Sequence, residues 1–291
     1  MSLLSACARQ AGLARLLRLP PPLRSPFVLA RSLSSPAHLP PSSRLFPPIL
    51  PSLLPSTPPR FGFASARHYT PTVDKAQEKI REVMEREESG DNKWEALWQN
   101  KSTPWDTGSA APPLLDLIKS EKGRQLNFER VLVPGSGSGY DTIAIAKAFP
   151  AATVVNVDIS ETAVQRFQQL CRQEKEKLDN IESICSDFFT LDGGFTLIWD
   201  YTFLSALPPS MRQDWANQMA KLLTPGGVLV HLMFPVGDFE GGPPFALTYD
   251  SVASTLEKAG LVTLDRDLSP ASHPARKGRE ELVMYKKPEE E

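Results

Sequence analysis

A chain of 291 residues with 41% hydrophobic residues has room for one large domain or two small ones around an ordinary globular core. Its net charge of −2 hides a division: before Asp74 there are eight arginines and neither an acidic residue nor a lysine, so the other 24 basic residues face all 34 acidic ones and Asp74 to Glu291 carries about −10. An acidic body excludes the basic stripe of a nucleic-acid footprint, and Pro and Arg cut every apolar run short of a membrane span.

Residues 1–72 have the Arg-, Ser- and Pro-rich, acid-free composition of an organellar transit peptide, with Leu13 to Leu19 as a short amphipathic turn before Pro20. The expected address is mitochondrial, with a cytoplasmic protein carrying a disordered tail as the alternative. Residues 73–291 then form the working domain. Of the three cysteines, Cys7 lies in the presequence, while Cys171 and Cys185 show neither disulfide nor metal-ligand spacing and read as reduced thiols.

Val73, Ala76, Ile80, Val83 and Met84 recur at helical spacing and predict an amphipathic helix ending near Ser89 and Gly90, a cover for the domain. Trp94 and Trp98, four apart, share one face of a second helix, and Thr103-Pro104-Trp105-Asp106 reads as a turn. Two readings of this tryptophan cluster compete: a packing anchor, or a wall for a cationic ligand drawn to the ring faces. A helix over Ala111 to Ile118 opens on prolines, whose missing N–H groups cost nothing there.

The stretch Val131 to Asp141, VLVPGSGSGYD, predicts a buried strand feeding a helix through a glycine turn, the ligand-binding position of an open α/β sheet. Gly135, Gly137 and Gly139 are spaced two apart, with Tyr140 where a dinucleotide fingerprint puts its last glycine, which counts against a nicotinamide oxidoreductase. Thr153 to Val157 is the second parallel strand and ends on Asp158. That carboxylate suits the hydroxyls of a ribose, of NAD or of S-adenosylmethionine; it equally suits capping the helix that starts at Ser160. The strand Ile181 to Ser186 closes on Asp187, which can accept from an adenine amino group. Gly194 to Trp199 delivers Asp200 and Tyr201 to the same edge.

After the helix Ser210 to Leu223, the turn Thr224-Pro225-Gly226-Gly227 enters the apolar strand Val228 to Phe234, an order habitual in class I methyltransferases. His231 within it reads as a core or edge histidine rather than a base. Pro235 to Phe245 is a glycine- and proline-rich loop fit to line a site mouth. Helix Ser251 to Ala259 and strands Leu261 to Leu264 and Leu282 to Tyr285 complete a seven-stranded, mostly parallel Rossmann-like α/β sheet with helices on both faces. Arg276, Lys277 and Arg279 form a basic cluster, of the kind that is mostly solvated loop.

From about Trp94 to Lys286 the chain resembles the thiopurine S-methyltransferase family, in particular its thiol and halide methyltransferase branch. The resemblance rests on WEALW at 94–98, TPWD at 103–106, LVPGSGSG at 132–139, VDIS at 157–160, DY at 200–201, MFP at 233–235, GGPPF at 241–245 and RKGRE at 276–280. It implies a class I S-adenosylmethionine-dependent methyltransferase whose cofactor lies against Trp94, Trp98, Trp105, Gly135, Asp158, Ser186, Asp187 and Tyr201. It also implies in-line displacement by a small soft nucleophile (thiolate, bisulfide, thiocyanate or halide), with Tyr201 orienting the methyl or acceptor and Arg276 or Lys277 attracting an anionic one. Ser136 stands where relatives often have cysteine, and Ser186 where plant relatives often have an acid. The expected partners are small molecules, with no nucleic acid, membrane or metal, and the expected state is a monomer. The competing functions are an NAD(P)-dependent oxidoreductase and a non-catalytic S-adenosylmethionine-binding domain.

Overall fold

The structure, a computed structural model, describes Ile80, residues 82–84 and residues 90–289. The presequence expected over residues 1–72 lies outside them, as does most of the helix expected from Val73 to Ser89. In chain order the elements are α1 (Gly90–Gln99), α2 (Pro112–Lys119), α3 (Glu121–Arg124), β1 (Arg130–Pro134), α4 (Tyr140–Ala148), β2 (Thr153–Asp158), α5 (Glu161–Gln173), β3 (Ile181–Cys185), β4 (Phe195–Tyr201), α6 (Phe203–Ala206), α7 (Arg212–Leu222), β5 (Leu223–Met233), α8 (Tyr249–Lys258), β6 (Val262–Asp267) and β7 (Glu281–Lys286). Single 3₁₀ turns lie at Phe188–Thr190, Pro209–Met211 and Pro274–Arg276.

The described residues build one seven-stranded sheet in the order β3-β2-β1-β4-β5-β7-β6. The first five strands run parallel, and β7 is antiparallel to both β5 and β6. This is the class I methyltransferase arrangement expected from the strand and turn order.

The continuous apolar runs of the central strands follow from their burial on both faces. Successive side chains on a strand point to opposite faces, so Leu132, Ile198 and Leu229 enter one core with Trp215 and Met219. Their neighbours Val131, Leu197 and Val230 enter the other with Leu114 and Ile145. The edge strand β6 escapes this pattern: Val262 and Leu264 are exposed.

The order in which strands are added reverses between the parallel neighbours β1 and β4, so their carboxyl ends leave a crevice there. The glycine turn at the end of β1 is shaped by its surroundings. Gly139 caps α4 at φ 73°, and a Cβ there would lie 2.1 Å from Phe167 Cδ2 on α5. Replacing Gly139 by Ala therefore meets both a left-handed backbone and a packed ring, and a loss of about 3 kcal/mol is expected. Gly260→Ala, at φ 87° with nothing within 4 Å of the added carbon, is the control and should lose about 1 kcal/mol. Urea unfolding of both variants checks the difference.

Candidate active site

Asp158 ends β2 beside the glycine turn, and its carboxylate joins two chain segments. Oδ2 accepts the Gly137 N–H at 2.8 Å and Oδ1 accepts the Ser160 N–H at 2.9 Å. The capping role is thereby divided: Asp158 holds the entry to α5, while the Ser160 hydroxyl oxygen caps the helix itself by accepting from Ala163 N. A carboxylate has about four lone-pair directions, so each Asp158 oxygen can still accept from a ribose hydroxyl. Burial pushes its pKa up to about 6, against the lowering pull of the backbone N–H groups.

Ser160 is also where the tryptophan helix docks. Its hydroxyl donates to Glu95 Oε2 at 2.6 Å, and Thr162 donates through N–H and hydroxyl to the same carboxylate at 3.1 and 2.5 Å. Burial pushes Glu95 up, but the hydrogen bonds from Ser160, Thr162 and Gln99 outweigh it and hold the carboxyl below its usual range. A negative charge at the N-terminus of α5 also meets the positive end of the helix dipole. Sequence reasoning passed over Glu95, because its partners lie 65 and 67 residues away.

The clamp sets the tryptophans. A Cβ on Gly137 would lie 3.0 Å from Trp98 Cζ2, so the indole closes directly over the bare backbone of the turn. Trp105 meets Trp94 and Trp98 edge-on at 5.4 and 6.1 Å between centroids. The two readings of the cluster divide between its members. Trp94 packs with Ile80, Val83 and Leu97 as an anchor, Trp98 lines the cleft with Gly135, Tyr140, Asp141 and Tyr201, and Trp105 does both. Asp106 helps to hold this wall, accepting from the Ser138 hydroxyl at 2.6 Å.

Ser186 and Asp187 directly follow β3. The Ser186 N–H donates to the main-chain O of Asp158 at 3.0 Å, which sets the end of β3 beside that of β2. Asp187 is exposed, with Oδ1 accepting from Phe189 N at 2.9 Å, and the Ser186 hydroxyl lies 3.2 Å from that of Thr190. Together these groups fit S-adenosylmethionine. The bare glycine backbone and the indoles of Trp98 and Trp105, suited to a sulfonium, line the cleft itself, while the Asp158 carboxylate, bonded to Gly137 N–H, and Asp187 stand at the neighbouring strand ends, outside that lining, as acceptors for a ribose and an adenine amine.

The strand β4 corrects one expectation. Asp200 and Tyr201 do not reach the same place, because consecutive side chains leave a strand on opposite faces. Asp200 is fully buried, accepting from Trp215 Nε1 at 3.0 Å, and burial pushes its pKa up to about 7. His231 lies 4.0 Å from it, itself buried and pushed down to about 3, hence a neutral core residue. Tyr201 alone turns to the cleft.

A second correction concerns the basic cluster, which does not behave as one solvated loop. Lys277 is exposed, whereas Arg276 is only 6% exposed. Its Nη2 donates to Trp105 O at 2.8 Å, and its guanidinium lies 4.8 Å from the Tyr201 ring centroid and 4.6 Å from that of Phe234. Nη1 has no hydrogen-bond partner. Glu280, 3% exposed, accepts the Tyr201 hydroxyl at 2.6 Å through Oε1. Asp141 closes the other wall, taking Ala111 N at 2.7 Å and Trp199 Nε1 at 2.8 Å. Neither Glu280 nor Asp141 was distinguishable in the sequence, where only the RKGRE motif and helical position marked them.

If the Asp158 carboxylate must be ionised to accept from a ribose, S-adenosylmethionine affinity falls as pH drops through about 6. Protonation then costs one acceptor, and the dissociation constant at pH 5 should be about tenfold larger than at pH 7.5. Calorimetric titration with S-adenosylmethionine checks this, with Asp158→Asn expected to bind weakly and without that dependence.

The family model described as Thiopurine S-methyltransferase matches residues 89–283. Thiocyanate methyltransferase 1 of Brassica oleracea is 37% identical over 196 residues, covering 67% of this chain and 84% of its own. Probable thiol methyltransferase 2 of Arabidopsis thaliana is 37% identical over 224 residues, covering 74% of this chain and 93% of its own. Among solved structures, a 1,6-didemethyltoxoflavin-N1-methyltransferase of Burkholderia thailandensis, with bound 1,6-didemethyltoxoflavin and S-adenosylhomocysteine, matches the fold with TM-score 0.54 at 18% identity, over 73% of this chain and 91% of that one. With a family model matched from before β1 into β7 and relatives at this identity, the chain belongs to the thiopurine S-methyltransferase family.

Proposed function

We propose that the chain transfers the methyl group of S-adenosylmethionine to a small soft nucleophile: a thiol, hydrosulfide, thiocyanate or halide. The observation that carries this reading is the buried Arg276 guanidinium behind Tyr201, with its Nη1 group unpaired. A buried, unpaired donor on a cation is costly unless something accepts from it. An anion or a developing thiolate in the cleft would do so. Relatives named for thiocyanate and for thiol methylation point to the same acceptor classes.

When bound, the cofactor supplies an electrophilic methyl on a sulfonium. Trp98 and Trp105 would cover it, Gly135 would let it approach the backbone, and Asp158, Ser186 and Asp187 would hold its nucleoside. The protein's own contribution is alignment and exclusion of water. Trp105 and Tyr201 wall the acceptor, and Arg276 fixes both through its bond to Trp105 O and its place over the Tyr201 ring. A soft sulfur needs only a modest bias toward thiolate, whose ordinary pKa is about 8.5. The nicotinamide reading has no support in the site, and family membership sets it aside.

Mass spectrometry of a panel of thiols, hydrosulfide, thiocyanate and iodide incubated with S-adenosylmethionine should detect a methylated product from at least one of them. Absence of product from all, with cofactor binding intact, would favour a non-catalytic binding domain. Arg276→Lys keeps the charge but loses the planar fork, and should lower kcat/KM for the acceptor about tenfold or more; wild-type kinetics would remove Arg276 from the site. We also propose a mitochondrial address for the Arg-rich residues 1–72, which a cytosolic fluorescent fusion of the full chain would overturn.

A further inference from the structure

We propose that Tyr201 and Glu280 form a proton relay serving methyl acceptors that carry an S–H bond, with the Tyr201 hydroxyl touching the acceptor and Glu280 receiving the proton. This rests on the reading above, that the acceptor sits against Tyr201.

The geometry has three parts. Tyr201 lines the cleft, and its hydroxyl hydrogen is already committed to Glu280 Oε1 at 2.6 Å. With its hydrogen so committed and the Arg276 guanidinium beside it, the phenol oxygen keeps a lone pair with which it can accept a hydrogen bond from S–H. Glu280 is 3% exposed and its Oε2 has no hydrogen-bond partner, an uncommon state for a buried carboxylate oxygen. The Arg276 guanidinium stands over the Tyr201 ring with Nη1 free to stabilise sulfur as it becomes a thiolate.

In the step itself the S–H bond breaks and its electron pair stays on sulfur. The proton joins the Tyr201 oxygen as the original phenolic proton passes to Glu280 Oε1, and Arg276 keeps its charge. The carboxylic acid returns its proton to water after the thioether leaves. Burial holds Tyr201 above its ordinary range against the lowering pull of the Arg276 charge, with Glu280 adding to the rise, so the phenol loses one proton only as it gains another. Thiocyanate and halides bring no proton and make no use of the relay. The groups facing Glu280 are Tyr201 from β4 and Arg276 and His273 from the loop before β7; Asp141 on α4 feels the same Arg276 charge.

The test uses 2-mercaptoethanol and thiocyanate as acceptors, with full-length wild type, Glu280→Gln and Tyr201→Phe. Without the relay, turnover of the thiol must wait for thiolate from solution, so kcat/KM in both variants should climb about tenfold per pH unit between pH 6 and 8. The wild-type profile should be flatter, and the thiol-to-thiocyanate ratio at pH 6.5 should fall about tenfold or more in each variant. Independently of turnover, infrared difference spectra of protein loaded with S-adenosylhomocysteine should gain a protonated-carboxyl band on adding 2-mercaptoethanol, and Glu280→Gln should lack it. A wild type that turns over while the variants keep its pH profile and acceptor ratio would overturn the relay alone. A wild type that methylates neither acceptor would overturn the relay together with the proposed acceptors.

Discussion

The Asp158 carboxylate is the junction on which the rest of the site depends. One oxygen closes the glycine turn through Gly137 and the other fastens the entry to α5 through Ser160. Ser160 passes the connection to Glu95, and Glu95 carries the helix whose Trp98 lies back over Gly137. The chain thus closes a ring around the crevice, and each member stands where it does because the next one does. Burial makes the ring tight, since a carboxylate withdrawn from water leans on each hydrogen bond it accepts.

On the other side of the crevice, order comes from alternation along one strand. Asp200 and Tyr201 are neighbours in sequence, yet one locks Trp215 inside a core and the other faces the cleft. The loop before β7 then brings Arg276 and Glu280 against Tyr201 from more than seventy residues away. On the proposed reading, the cofactor would be held by the loops after β1 to β3 and the acceptor by β4 and the return loop to β7.

Much of the fold was legible because its causes are local or periodic. Continuous apolar runs mark strands buried on both faces, proline opens α2, and the Pro-Gly-Gly turn precedes β5. The glycine turn and Asp158 were readable for the same reason, since a strand end followed by a helix defines where their groups go. Arg276 was harder. In sequence it is one of three basic residues in four, and burial against Trp105, Tyr201 and Phe234 separates it from Lys277 only after folding.

The sequence by itself determined the class of fold, the position of the glycine turn and the family, because strand periodicity, glycine spacing and short motifs are written in consecutive residues. Only the tertiary structure decided which tryptophans face the cleft, that Asp200 belongs to the core, and that Glu95 and Glu280 anchor the two halves of the site. Those outcomes depend on burial and on hydrogen bonds between residues dozens of positions apart. No local pattern encodes them, because the free energy that selects each partner exists only when the sheet has brought it within reach.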